Sequence, residues 1–279
     1  MNTLKKFITA VSLSLLSFTF TASATPIDMW DWQVDSYFSA FAPAGVTGSE
    51  DNLWWDTELG FPADGAPSKL SWGNTSSSLT LGGDKGHYAG EDLANDTPAL
   101  TASLTHDNFI IFSGATLTSA TLSTKLQLAP ANFPLSGFIP PLLFNIVFTE
   151  TYNESVCSYE GDIINGELTH CEDDIFVIDT FGIGIEFNPF SNTFNQQFGI
   201  GEYTYNVALT VDKLAELPDA VCARVGDGSS GCIGVTTHEE AATTFDVNMT
   251  LTQVPEPSTI LLMSLALFGI VASMRNKHI

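Results

Sequence analysis

Three stretches of the chain alternate apolar and polar residues with period two. In the first, Phe144, Ile146 and Phe148 alternate with Asn145, Val147 and Thr149. In the second, Tyr203, Tyr205, Val207, Leu209 and Val211 alternate with Thr204, Asn206, Ala208, Thr210 and Asp212. The third and clearest sets Phe245, Val247, Met249 and Leu251 against Thr244, Asp246, Asn248 and Thr250. Such alternation predicts strands with one face in a core and one toward water. Leu79–Leu81, Leu104–Phe112 and the Thr-rich run Ala115–Leu128 also suit strands, and Phe176–Phe187 reads as a strand pair broken at Gly182 and Gly184. Gly82-Gly83-Asp84 and Asn188-Pro189 supply turns. No long amphipathic helix stands out, and Val211–Leu217 is the place where one or two helical turns are expected. Many short strands punctuated by Gly, Pro and Asn predict an all-β, antiparallel β-sandwich, with a jelly-roll as a candidate topology.

The two ends break this pattern. Lys5 and Lys6 precede an apolar run from Phe7 to Phe20, closed by Ala22-Ser23-Ala24. A basic start, an apolar stretch and an A-x-A site form a secretory signal peptide over 1–24, cut after Ala24. Its readers are the Sec export machinery and signal peptidase. At the other end, Ile260–Met274 carries no charge and is followed by Arg275 and Lys277. As a helix this transmembrane candidate rises about 22 Å, short of the about 30 Å hydrocarbon core. Its basic flank favours the cytoplasmic side, leaving the body outside. The expected layout is a signal helix, an ectodomain over 25–253 and a hydrophobic C-terminal segment within 254–279.

Val254-Pro255-Glu256-Pro257-Ser258, the apolar run and the basic end together resemble the PEP-CTERM sorting signal. The resemblance implies export across the inner membrane, transient anchoring through the tail, and cleavage by an exosortase. The product would reach the cell surface or the extracellular medium of a bacterium that makes exopolysaccharide and biofilm matrix. Two prolines hold the segment extended and poor in hydrogen bonds, a form that a processing enzyme can read.

Composition sharpens the environment. There are 32 acidic and 9 basic residues. Four of the basic ones lie in the end segments, leaving Lys69, Lys85, Lys125, Lys213 and Arg224 to the body. So anionic a surface argues against nucleic acid, whose binding needs Lys and Arg. No cofactor is expected, although Ca²⁺ is a chemically reasonable companion; otherwise the charge keeps an extracellular protein dispersed. No D-x-[DN]-x-[DN]-G loop occurs, so Glu172-Asp173-Asp174 and Asp227-Gly228 are the places to look for a cation.

Cys157, Cys171, Cys222 and Cys232 all lie in the exported part, where disulfides persist. Three pairings are possible. Short loops favour Cys157–Cys171 and Cys222–Cys232. The rival reading, zinc held with His170 and His238, lacks C-x₂-C spacing.

The most distinctive internal string is Leu104-Thr105-His106-Asp107-Asn108-Phe109. Thr105, His106 and Asn108 fall on the fixed positions of the motif that names the THxN family of PEP-CTERM proteins, which this string resembles. That resemblance implies a class and carries no activity. Neighbours in a strand face opposite ways, so Thr105-His106-Asp107 does not assemble as a nucleophile–base–orienter triad. His106 and Asn108 share a face and are expected to be structural. Thr237-His238-Glu239-Glu240 echoes the string without the Asn and reads as coincidence.

All five tryptophans fall early, at Trp30, Trp32, Trp54, Trp55 and Trp72. They either cover the core or form a carbohydrate-stacking platform, and the core is the expected place. No nucleotide, metalloprotease or serine-hydrolase motif is present. The expectation is therefore a non-enzymatic surface or matrix protein associated with exopolysaccharide. The alternatives are a carbohydrate-binding module using the tryptophans and a secreted hydrolase with carboxylate chemistry.

Overall fold

The computed structural model describes residues 25–51, 66–75, 77–135, 142–151, 157–164, 167–181, 186–188, 190–225 and 231–254. The signal segment with Ala22 and Ala24, Trp54, Trp55, Asp227-Gly228 and the tail from Pro255 to Ile279 lie outside these residues. Among the described residues, no helix is long and apolar enough to cross a membrane.

Seventeen strands are described. They are β1 (Met29–Ala42), β2 (Thr47–Asp51), β3 (Pro67–Trp72), β4 (Ser77–Leu81), β5 (His87–Ala94) and β6 (Ala99–Asp107). Next come β7 (Ser119–Pro130), β8 (Leu142–Thr149), β9 (Ile163–Ile164), β10 (Glu167–Leu168), β11 (Asp174–Phe181) and β12 (Glu186–Asn188). The last are β13 (Thr193–Ile200), β14 (Tyr203–Val211), β15 (Ala215–Glu216), β16 (Ile233–Thr237) and β17 (Ala242–Val254). One helix, α1, covers Asp219–Arg224.

Fifteen of these strands form two large antiparallel sheets, and β9 and β10 pair with each other. One runs β15-β16-β11-β8-β7-β1-β5, the other β12-β13-β14-β17-β6-β4-β3-β2. Their inner faces share one core, to which the alternating positions contribute: Ile146 and Phe148 from β8, Tyr205, Val207 and Leu209 from β14, Phe245, Met249 and Leu251 from β17. An apolar cavity of about 120 Å³ lies between the sheets, lined by Val34, Leu126, Phe176, Phe194 and Met249 among others.

The first long strand is the one that periodicity missed. In β1, Trp30, Trp32, Val34, Ser36 and Phe38 face inward and are buried. Ser36 closes its hydroxyl on Thr124 at 3.0 Å, which satisfies a polar side chain inside the core. Trp32 lies over Gly90 of β5, where a Cβ would stand 2.6 Å from the indole nitrogen. Trp30, Trp32 and Trp72 are all buried. They cannot serve as an exposed stacking platform, and the carbohydrate-platform reading is corrected at these three positions.

Three element boundaries also differ from expectation. β6 ends at Asp107, so residues 108–112 are not strand. Thr75, Ser77 and Asn74 hold this segment instead, bonding Ile110, Phe109 and Phe112 respectively. Phe176–Phe187 does not form a strand pair, since β11 lies in one sheet and β12 at the edge of the other. Val211–Leu217 completes β14 and forms β15, and the helix begins after Pro218. The fixed φ of that proline suits a helix start, and its carbonyl accepts from Val221 N and Cys222 N.

β11 separates two cores. Phe176 faces the main one, whereas Ile175 and Val177 face outward into a smaller cluster. Tyr159, Ile164, Leu217, Val221, Cys222 and Cys232 cover that outer patch. Disulfides Cys157–Cys171 and Cys222–Cys232 fasten this cover, and no described cysteine is free for zinc. Replacing Cys222 and Cys232 with Ala is expected to lower stability by about 2–4 kcal/mol, because the link closes a loop in the unfolded chain. Chemical denaturation of the purified protein reads this, and an unchanged midpoint would show that the cover does not depend on the link.

Candidate functional site

Chemistry gathers at one end of the sandwich. β8, β11 and β16 are neighbours in one sheet, with Asp174 paired to Thr237 and Ile175 to Thr149. The strands are antiparallel, so the C-terminal ends of β8 and β16 and the N-terminal end of β11 fall together. Opposite them in the other sheet stands the C-terminal end of β6, which carries His106.

His106 is completely buried. Its ring stacks on Trp72 with centroids 5.6 Å apart and meets Phe148 and Phe176 edge-on at 5.6 and 4.9 Å. Two of the four rings come from each sheet. The imidazole therefore fills a cross-sheet aromatic cluster. Its Nδ1 is 2.9 Å from Thr237 Oγ1, and its Nε2 is 4.0 Å from Asp174 Oδ2. The cross-strand pair Asp174/Thr237 thus brackets both ring nitrogens. Burial pulls the His106 pKa down to about 3, so the ring is neutral at ordinary pH.

Asn108 is also fully buried, and its side-chain nitrogen donates to Thr237 O at 3.4 Å. Its backbone N donates to Ala241 O at 3.0 Å. Thr105 points the other way and meets Thr244 Oγ1 at 2.9 Å. Of the motif residues, His106 and Asn108 act together across the sheets, and Thr105 acts within its own sheet. Their shared partner is Thr237, the first residue of the string taken as a coincidental echo. That reading needs correction in one respect: the two strings meet in space.

Three carboxylates converge beside this clasp. Glu150 follows β8, Asp174 opens β11 and Glu239 lies just past β16, with one oxygen from each within 4.8 Å of the others. Burial, then the Glu150 charge, raises Asp174 to about 9 against the single donor Thr151 N at 2.9 Å. Glu150 is raised to about 7, again mainly by burial, although Trp72 Nε1 donates to it at 3.3 Å. Glu239 is raised to about 7 by burial, then by Glu172, Glu240 and Asp173. With no counter-ion, the group holds protons at neutral pH.

The acidic residues named for a cation fall in different places. Of Glu172-Asp173-Asp174, Asp174 belongs to the cluster, while Glu172 is exposed. Asp173 accepts from His170 N at 2.8 Å and meets His238 Nδ1 at 2.7 Å. His170 and His238 do come together, with ring centroids 5.5 Å apart. Glu150 and Glu239 had no sequence signal beyond being acidic residues next to strand ends.

The described architecture is that of a two-sheet antiparallel β protein. Residues 253–276 match the PEP-CTERM protein-sorting motif. The chain carries the sorting signal of an exported, exosortase-sorted protein directed to the cell surface. The match begins inside the fold, since Gln253 and Val254 still pair with Tyr205 and Thr204. No curated protein matches the chain.

Thr237→Val keeps the shape at the clasp and removes the hydroxyl. It is expected to cost about 1–3 kcal/mol, because a buried nitrogen loses its partner. Combined with His106→Leu, the effects should be non-additive by about 0.5–3 kcal/mol. A double-mutant cycle by chemical denaturation measures this coupling, and additive effects would remove the clasp from the account.

Proposed function

We propose that the protein is a non-catalytic component of the cell surface or extracellular matrix, resembling the THxN class and associated with exopolysaccharide. The observation that carries this reading is the sorting motif starting within the last strand. The β body and its address are one continuous unit, without an intervening stalk. Signal peptidase would remove 1–24 and an exosortase the tail, after transient anchoring by 260–274.

The polar residues of the Thr105–Asn108 string support a structural role. His106 and Asn108 use their side chains between the sheets, away from solvent. The convergent carboxylates are the feature that would favour a hydrolase. Three carboxylates crowd there, with one oxygen from each within 4.8 Å of the others, whereas glycoside hydrolysis uses a pair that flanks the scissile bond.

Changing Pro255-Glu256-Pro257 to Ala-Ala-Ala is expected to leave export intact and to block tail removal. Mass spectrometry of the mature C-terminus measures the outcome. A normally processed C-terminus would refute the sorting reading.

A further inference from the structure

The role proposed above leaves the carboxylates at the end of the sandwich without a task. Asp174 is fully buried, while Glu150 and Glu239 are half-buried. The group is thus walled by protein on one side and reachable from solvent on the other. Glu172, Asp173 and Glu240 add further negative charge around it. Trp72 Nε1 reaches Glu150, and Thr151 N reaches Asp174 Oδ1. Asp174 Oδ2 and Glu239 Oε1 are buried and have no hydrogen-bond partner.

A second observation comes from the facing sheet. His106 Nε2 is buried, has no hydrogen-bond partner, and lies 4.0 Å from Asp174 Oδ2. That separation is beyond hydrogen-bond reach. An unsatisfied buried polar atom is costly and rare. Here two such atoms from different sheets face each other beside three crowded acids.

We propose that Glu150, Asp174 and Glu239 bind a divalent cation of the oxygen-ligand class, with Ca²⁺ as the fitting ion. Calcium–oxygen distances are about 2.3–2.6 Å, so two oxygens on one ion lie up to about 5 Å apart. The carboxylate separations fall inside that limit. The set contains no thiolate, since the nearby cysteines are in disulfides. Hard carboxylate oxygens select calcium or magnesium over softer metals. His106 stands behind the ligands as a positioning residue. When Thr237 Oγ1 donates to Nδ1, the ring proton sits on Nε2 and points at Asp174, favouring an ionised ligand. The ion would tie the ends of β8, β11 and β16 together and, through His106, bind one sheet to the other.

Terbium serves as the probe with the purified full-length chain. Trp72 lies 3.3 Å from Glu150 through its indole nitrogen, so excitation of tryptophan should sensitise emission from an ion bound there. Millimolar Ca²⁺ should displace the signal, and the melting temperature should rise with Ca²⁺ relative to EDTA. Asp174→Asn should weaken terbium binding about tenfold or more, as affinity follows the ligand charge count. It should also abolish the calcium-dependent rise in melting temperature. Glu150→Gln is the second variant, and circular dichroism confirms that each is folded. Unchanged terbium binding in both folded variants would place the ion on the general anionic surface and overturn the proposal. So would a wild-type protein with no sensitised emission and no calcium-dependent stabilisation. Equal displacement by Mg²⁺ at the same concentration would overturn the assignment to calcium.

Discussion

An imidazole with no exposed surface between two sheets must find partners for its nitrogens within the protein. His106 meets this constraint at Nδ1 through Thr237, 2.9 Å away on the facing sheet. The surrounding arrangement follows from that contact. Trp72, Phe148 and Phe176 pack against the ring from both sheets. Thr237 also takes the Asn108 side chain on its carbonyl, so the chain leaving β6 is fixed where the strand stops. Asp174, opposite Thr237 in the sheet, is brought under the second nitrogen of the ring. The clasp and the acidic cluster are thus two sides of one cross-strand pair.

The acidic end of the sandwich lies far from the sorting tail. β17 begins opposite the clasp, with Ala242 paired to Asp107, and finishes at Val254, paired to Thr204. Thirteen residues of strand span about 40 Å. The acidic end therefore lies about that far along the strand from the start of the sorting segment. The tail end is closed by different chemistry. Trp30 packs edge-on to Tyr205 and donates to Asn95, which in turn holds Ile27 O. Aromatic and amide contacts seal the end nearest the tail, and carboxylates gather at the other.

Period-two alternation marked β8, β14 and β17 because each has one face in the core. β1 was obscured by the polar residues Asp31, Gln33 and Asp35 set between its apolar positions, although Asp35 is itself buried, and by tryptophans for which a binding platform was a second reading beside the core. The helix was placed too early, at Val211–Leu217, because the apolar spacing there suits both a turn of helix and a short strand, and Pro218 decides the start. Neighbouring cysteines were legible as pairs because their loops are short. The clasp was half legible. Strand geometry puts His106 and Asn108 on one face, but no local spacing indicates Thr237, 131 residues away. The carboxylate cluster was beyond reach for the same reason, since three distant strand ends must first be aligned by the sheet.

His106 is a buried, neutral tie between the sheets. Heteronuclear NMR of the histidine ring nitrogens across a pH titration tests it most directly. Burial holds the pKa at about 3 against an ordinary 6.5. The His106 resonances should therefore stay those of a neutral imidazole, with one fixed tautomer, as the pH falls through 6.5. A His106 ring that takes up a proton near pH 6.5 would be solvated, and the sheets would have to be joined at that end by something else.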